Sequence, residues 1–358
     1  MSSMKIKLFK VPQGSPDDLT AMAALIQNQS LDPTKIVAIL GKTEGNGCVN
    51  DFTRGFAVQT LKTYLKALYS QAGLDPASAD SIVYVMSGGT EGVLSPHLTV
   101  FTREAVPLEE PRHWGLVLGV RHTPTFLPQQ IGTLAMVDVV AEGVQAAIAE
   151  AGLAKADVHF VQIKCPLVMA SEVGTLAQSS YQSMAYSRGA AALGVAIALG
   201  EVDRDRLTQA DICANYDLYS AVASTSAGVE LRNCEILVLG NAAHSASDYV
   251  IHHATMRHAL DVEAVQQAIA QTGQGRSDIV NVFAKAEADP SGLILGRRHT
   301  MLDDSDINHT RMARAVVGAV IASVVQDPMV YVSGGSEHQG PAGGGPVAAI
   351  AKISETAT

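Results

Sequence analysis

Apolar positions along this chain follow a pattern that occurs three times. Short strand-like runs end in a lysine at Ile36–Lys42 (IVAILGK), Val158–Lys164 (VHFVQIK) and Ile279–Lys285 (IVNVFAK). The lysines lie 122 and 121 residues apart, a constancy that marks an internal repeat. After each comes an arginine opening an apolar helical pattern: Arg54 in DFTRGFA, Arg188 in AYSRGAA and Arg314 in RMARAVV. A strand and a turn of pattern S-[GA]-G-x-E follow each helix, at Ser87–Glu91, Ser226–Glu230 and Ser333–Glu337. Ahead of the lysine runs, short strands at Met4–Phe9, Trp114–Val120 and Glu235–Gly240 lead into helical stretches over Asp17–Asn28, Ile131–Ala151 and Tyr249–Thr272.

The unit is therefore strand, helix, strand with Lys, helix with Arg, strand with Ser. It predicts repeat units at residues 1–105, 112–232 and 235–358, with polar or proline-bearing linkers near Thr102–Arg112 and Leu231–Asn233. Such alternation implies sheets covered by helices, an α/β (α+β) architecture. Three copies in one chain are expected to pack about a pseudo-threefold axis, where equivalent loops converge. The repeated lysines could be structural punctuation alone, but a lysine ending an apolar strand is costly to bury without a partner.

Composition narrows the function. The 358 residues are 47% hydrophobic, enough for a large core, and the net charge of −10 argues against nucleic acid or an anionic membrane as partner. Runs such as Gly189–Gly200 and Ala315–Val325 are shorter than the roughly 20 residues a membrane span needs. Four cysteines (Cys48, Cys165, Cys213, Cys234) form no C-x-x-C pair, and no signal peptide is read, which together fit a cytoplasmic protein.

Three Lys, three Arg and three Ser around one point would form a site with defined chemistry. Serine needs a base to become a nucleophile. A buried lysine has its pKa pushed down by desolvation and by nearby arginines, so it can be that base. The small residue after each serine leaves a backbone N–H able to hold a carbonyl oxygen with the hydroxyl, and arginine adds bidentate hydrogen bonding. The set suits a small planar substrate carrying three carbonyls.

The segments VMSGGTEG, SRGAAALG, STSAGVE, GRRHTMLDDSDINHTRMARA and VSGGSEHQGPAGGGP, spread over essentially the whole chain, resemble the cyclic amide hydrolase family of cyanuric acid hydrolases and barbiturases. The resemblance implies a prism-like fold of three repeats in homotetramers. It implies hydrolytic opening of the s-triazine ring of cyanuric acid to carboxybiuret, which loses carbon dioxide to give biuret. The alternative activity is opening of barbituric acid to ureidomalonate, a ring that differs by CH2 in place of NH. The GEVDRDRL and QDPMVYVSGG connections resemble the cyanuric acid branch more closely, and Arg314–Val317 is the candidate stretch for discriminating the rings.

By position, the resemblance implies Ser226 as nucleophile and Lys164 as its base. Ser87, Gly88, Ala227, Ser333 and Gly334 fall on carbonyl-binding positions, Arg54, Arg188 and Arg314 on the substrate arginines, and Lys42 and Lys285 on the other two Ser–Lys pairs. It further implies a structural cation, Mg2+ or Ca2+, at Ser336, Gln339, Gly340, Pro341 and Gly344 with Glu287 as carboxylate, Glu337 being the alternative. Oxygen donors from a glycine-rich loop suit those hard cations and not zinc.

Other readings are weaker. Gly41-Lys42-Thr43 lacks the glycine five residues earlier that a P-loop needs, the position being Ile36. The glycine turns alone are weak evidence for phosphate binding. His244, His252, His253 and His258 form no H-x-H or H-E-x-x-H arrangement, and read as a polar helix face or a subunit contact. His122 and His299, in similar R-H-T stretches, are expected in loops near the site. Cys165, next to Lys164, should face away from it along the strand. A non-catalytic binding module that uses arginines and serines as clamps is the alternative of a different class.

Overall fold

The parity of side chains along each lysine strand decides how the molecule is layered. Ala38, Leu40 and Lys42 share one strand face, as do Phe160, Gln162 and Lys164, and Phe283 and Lys285. The apolar members of these rows join one buried cluster drawn from all three repeats, including Ile6, Leu8, Phe101, Leu118, Leu239 and Ile350. The opposite strand faces pack under helices in three separate clusters, one per repeat. Sheets thus line the interior and helices cover the outside.

The computed structural model describes residues 2–107, 114–172, 179–302 and 305–354. The first repeat runs β1 (Ser2–Pro12), α1 (Thr20–Gln27), β2 (Ile36–Thr43), α2 (Phe52–Gln71), β3 (Val83–Gly88) and β4 (His97–Pro107). The second runs β5 (Gly115–His122), α3 (Leu134–Ala151), β6 (Val158–Pro166), α4 (Ser180–Leu199), β7 (Ala223–Gly228) and β8 (Glu235–Ala242). The third runs β9 (Tyr249–Met256), α5 (Val262–Gln271) and β10 (Ile279–Ala286). A small hairpin, β11 (Leu293–Ile294) and β12 (Arg297–Arg298), precedes α6 (His309–Val325), β13 (Tyr331–Gly334) and β14 (Gly345–Lys352). Each repeat builds a mixed four-stranded sheet of one order: β1-β4-β2-β3, β5-β8-β6-β7 and β9-β14-β10-β13. No helix among the described residues is long and apolar enough to cross a membrane.

The expected α/β architecture of three similar units is what the chain adopts, with corrections inside the unit. Each sheet has a fourth strand between its first and second, which the unit read from sequence lacks. Glu235–Gly240, expected to open the third unit, instead closes the second sheet, pairing with β5 and β6. The stretch Tyr249–Thr272, expected to be helical, divides into strand β9 and helix α5. The β-branched pair Val250-Ile251 extends the first part, and Asp261 caps the second by accepting from the Ala264 amide. His252 and His253 therefore lie on a strand and pack against His159, not on a helix face. Thr102–Pro107, expected as linker, belongs to β4, and residues 108–112 of that linker lie outside the described residues.

The inner cluster is closed by aromatic rings from different repeats. Phe283 is fully buried, its ring centroid 5.4 Å from Phe160, 6.4 Å from Phe101 and 5.8 Å from Tyr331. Phe283→Ala would leave a void between three sheets that cannot all collapse into it. It should lower unfolding stability by about 3–5 kcal/mol, measured by denaturant titration.

Candidate active site

Parallel pairing brings the repeated residues together two by two. Lys42 is in register with Ser87 across β2 and β3, Lys164 with Ser226 across β6 and β7, and Lys285 with Ser333 across β10 and β13. All six are buried at the ends of their strands. Capped helices deliver the arginines. Asp51 accepts from the Thr53 amide at the start of α2, one residue before Arg54, and Asn308 does the same for Thr310 at the start of α6, ahead of Arg314.

The three serines, the three arginines, Gly88, Ala227 and Gly334 all border one narrow cavity of about 20 Å3. Gly47 and Met184 complete it, and neither was singled out from the sequence. The lysines, each on the strand position paired with a lining serine, do not themselves border it. Burial pushes Lys42 and Lys285 well below the ordinary lysine pKa, aided by the charge of Arg314 and of Arg188 respectively. Burial also lowers Lys164, but Glu230 beside it acts in the opposite direction.

The three Ser–Lys pairs are not equivalent. Lys42 Nζ donates to Ser87 Oγ at 3.1 Å, and Lys285 Nζ to Ser333 Oγ at 3.2 Å. Lys285 also donates to the carbonyls of Thr225 (2.7 Å) and Gly334 (3.0 Å). Lys164 Nζ instead donates to the Met86 carbonyl at 2.8 Å and lies 2.9 Å from Glu230 Oε1. Ser226 Oγ is buried and has no hydrogen-bond partner, so one serine in three holds a free hydroxyl toward the cavity.

Two of the three glutamates that end the S-[GA]-G-x-E turns orient arginines. Arg314 binds Glu91 through Nε (2.8 Å) and Nη2 (2.5 Å), and Arg188 binds Glu337 through Nε (2.8 Å) and Nη2 (2.6 Å). Such forks fix the guanidinium plane. The preceding glycines make room for them. Gly89 (φ +104°) and Gly335 (φ +79°) have left-handed backbone, and a Cβ there would lie 2.5 Å from Arg314 Nε and 2.4 Å from Arg188 Nε. The glutamate in each copy of the turn was the sequence signal for these pairs, but the partners of Glu91 and Glu337 sit in another repeat, and Glu230 lies beside Lys164 of its own.

The expected cation residues divide. Glu287 and Ser336 border a second cavity, of about 180 Å3, and Glu287 accepts from Thr310 Oγ1 (2.9 Å) and contacts His309 Nδ1 (2.8 Å). Glu337, the alternative carboxylate, is taken up by Arg188. The Gln339 side chain turns inward, accepting from the Thr225 amide and donating to the Gly335 and Glu337 carbonyls, so only its backbone is open to a cation. Gly340, Pro341 and Gly344 form the tight turn that follows, with Gly344 N donating to the Pro341 carbonyl. One carboxylate beside a carbonyl-rich turn fits a hard cation.

Other expectations resolve simply. Cys165 packs into the helix-side core of the second repeat, away from Lys164. His122 ends β5, 3.9 Å from Glu235, and His299 Nδ1 accepts from the Met301 amide; neither borders the cavity. Of Arg314–Val317, Arg314 reaches the cavity while Val317 lies in the outer core.

Comparison with known proteins agrees with this fold. Residues 7–352 match the family described as amidohydrolase ring-opening protein. The cyanuric acid amidohydrolase of Bradyrhizobium diazoefficiens is 50% identical over 374 residues, covering 99% of this chain and all of that protein. That of Pseudomonas sp. (strain ADP) is 46% identical, covering 97% of this chain and 99% of that protein. A solved cyanuric acid hydrolase structure superposes with a TM-score of 0.93 at 45% identity, over 98% of this chain and 100% of its own. The enzyme from A. caulinodans superposes with a TM-score of 0.91 at 47% identity, over 98% and 99%. Matched end to end in sequence and in fold, the chain belongs to the ring-opening amidohydrolase family and is a hydrolase.

Proposed function

We propose that this enzyme opens the s-triazine ring of cyanuric acid, with Ser226 as nucleophile and Lys164 as general base. The observation that carries the reading is the convergence of three serine–arginine sets on one cavity, which matches a planar ring with three carbonyls. The names of the full-length relatives point to the same substrate.

In this mechanism neutral Lys164 takes the Ser226 proton as Oγ attacks one ring carbonyl. The tetrahedral oxyanion is held by backbone N–H groups at the small residue after the serine. The ring C–N bond then breaks, its nitrogen receiving the proton from Lys164, and leaves a carbamoyl ester on Ser226. Water, deprotonated by Lys164, cleaves the ester to give carboxybiuret, which decarboxylates to biuret. Ser87 and Ser333, with the arginines, hold the other two carbonyls.

Purified enzyme supplied with cyanuric acid should yield biuret and carbon dioxide by mass spectrometry. Faster opening of barbituric acid, with ureidomalonate as product, would refute the substrate assignment. A Mg2+ or Ca2+ ion on Glu287 and the backbone oxygens of Ser336, Gln339, Gly340, Pro341 and Gly344 belongs to the same reading. It would act as a clamp on the loop after Ser333, so chelation should lower Tm more than it changes kcat, and an unchanged Tm would remove the ion from the account. Homotetrameric assembly is also part of the proposal. Surface side chains such as Phe52, 78% exposed, and Leu127, 65% exposed, offer apolar area for it to bury.

A further inference from the structure

The arginine–glutamate forks form a cycle that is broken at one place. Arg188 of the second repeat pairs with Glu337 of the third, and Arg314 of the third pairs with Glu91 of the first. Closing the cycle would pair Arg54 of the first with Glu230 of the second. Arg54 instead donates from Nη1 to the Ala227 carbonyl (3.0 Å) and from Nη2 to the Cys48 carbonyl (2.7 Å), while its buried Nε makes no hydrogen bond and lies 3.8 Å from Asp51 Oδ2. Glu230 folds back over its own turn, where a Cβ on Gly228 would lie 2.0 Å from Glu230 Oε2, and its Oε1 sits 2.9 Å from Lys164 Nζ. Among the described residues, neither Lys42 nor Lys285 has a carboxylate at ion-pair distance.

We propose that Glu230 is the positioning residue of the Lys164–Ser226 pair, its carboxylate holding the ammonium that forms when Lys164 takes the serine proton, with Arg54 as its alternate partner when that ammonium is gone. The inference rests on the assignment of Lys164 as base. It explains why one of three like Ser–Lys pairs reacts. A buried amine that becomes an ammonium in a dry site carries a large charging penalty unless an opposite charge is already placed beside it. Only the second repeat supplies one. The proton balance is unchanged: it moves from Ser226 Oγ to Lys164 Nζ and then to the leaving ring nitrogen, and Glu230 stays ionised throughout. The charge of Arg54, whose Nε lies 3.8 Å from Asp51 Oδ2, already acts on the Glu230 carboxylate and is the positive charge left beside it when the lysine is neutral.

The test is the pH dependence of kcat and kcat/KM for Glu230→Gln, Glu230→Asp and Glu91→Gln. Without the carboxylate Lys164 loses its proton more readily, so in Glu230→Gln the acid limb of kcat/KM should move down by about one pH unit or more. Its kcat should fall about 10- to 100-fold because the ammonium formed in the reaction is no longer held. Glu230→Asp, with its carboxylate drawn back by one methylene, should fall between this and the wild type. Glu91→Gln should raise KM and leave the limb where it is. A folded Glu230→Gln enzyme with an unmoved limb, or an equal displacement in Glu91→Gln, overturns the proposal. Should Glu230→Gln fail to fold, Glu230→Asp decides alone, an unmoved limb again being the contrary result. Wild-type turnover in Lys164→Met would remove the base assignment itself, a failure visible without any change at Glu230.

Discussion

Ser226→Ala is expected to lower kcat by at least ~1,000-fold while leaving the fold and substrate binding in place. Ser226 is the buried serine whose Oγ has no partner, whereas Ser87 and Ser333 each accept from a lysine. Removing its hydroxyl leaves no broken hydrogen bond behind, so the stability change should stay small, within about 1 kcal/mol. The arginines and the other two serines remain to hold a ring. Ser87→Ala and Ser333→Ala should act differently: each removes one carbonyl contact and one lysine hydrogen bond, Lys285 keeping those to the Thr225 and Gly334 carbonyls, and each should raise KM more than it lowers kcat. Steady-state kinetics on the three variants, with binding to Ser226→Ala measured by calorimetry, separates the roles. A Ser226→Ala enzyme that neither turns over nor binds would point to a collapsed site. One that binds without turnover is the expected result.

Lys164→Met should reduce kcat by about 100- to 10,000-fold, the range for loss of a general base. Methionine fills much of the same volume, so packing alone does not explain such a loss. Arginine should not rescue it, since a guanidinium stays protonated and cannot accept the serine proton. The sign of the pH dependence follows from burial. Burial lowers the Lys164 pKa against the opposing effect of Glu230, so the enzyme is inactive where the amine is protonated and gains activity as pH rises through that lowered value. The same depression acts on stability. Between the folded and the ordinary lysine pKa the unfolded chain binds more protons, so folding stability rises with pH across that window and is lower below it. Lys42 and Lys285, depressed further, add to the same slope. Thermal melts of the wild type and Lys164→Met over that range should show a shallower slope in the variant.

Much of the site was legible in the sequence because it depends on period and register. The near-constant spacing of Lys42, Lys164 and Lys285, the arginine opening each helix and the three S-[GA]-G-x-E turns picked out the Ser and Arg that border the cavity and the Lys in register with each Ser. Strand parity placed Cys165 on the far face. What escaped depends on non-local pairing. Strand β4 pairs with β1 over a separation of nearly the whole repeat, and nothing local in His97–Pro107 announces its partner. Glu235–Ala242 follows a turn and leads toward another strand, so it reads equally well as an opener or a closer. Strand β9 carries His252 and His253 among its apolar residues, which blurs its alternation into a helix-like pattern. The preference of Glu230 for Lys164 over Arg54 is of the same kind. Its sequence context matches Glu91 and Glu337, and only the packed neighbours distinguish it.

In the proposed mechanism one serine of the three carries the ring-opened intermediate. Rapid acid quench of enzyme mixed with excess cyanuric acid, followed by peptide mapping in a mass spectrometer, tests it most directly. A carbamoyl adduct is expected on the peptide containing Ser226 and none on those containing Ser87 or Ser333. An adduct on either of those serines, with Ser226 unmodified, would contradict it.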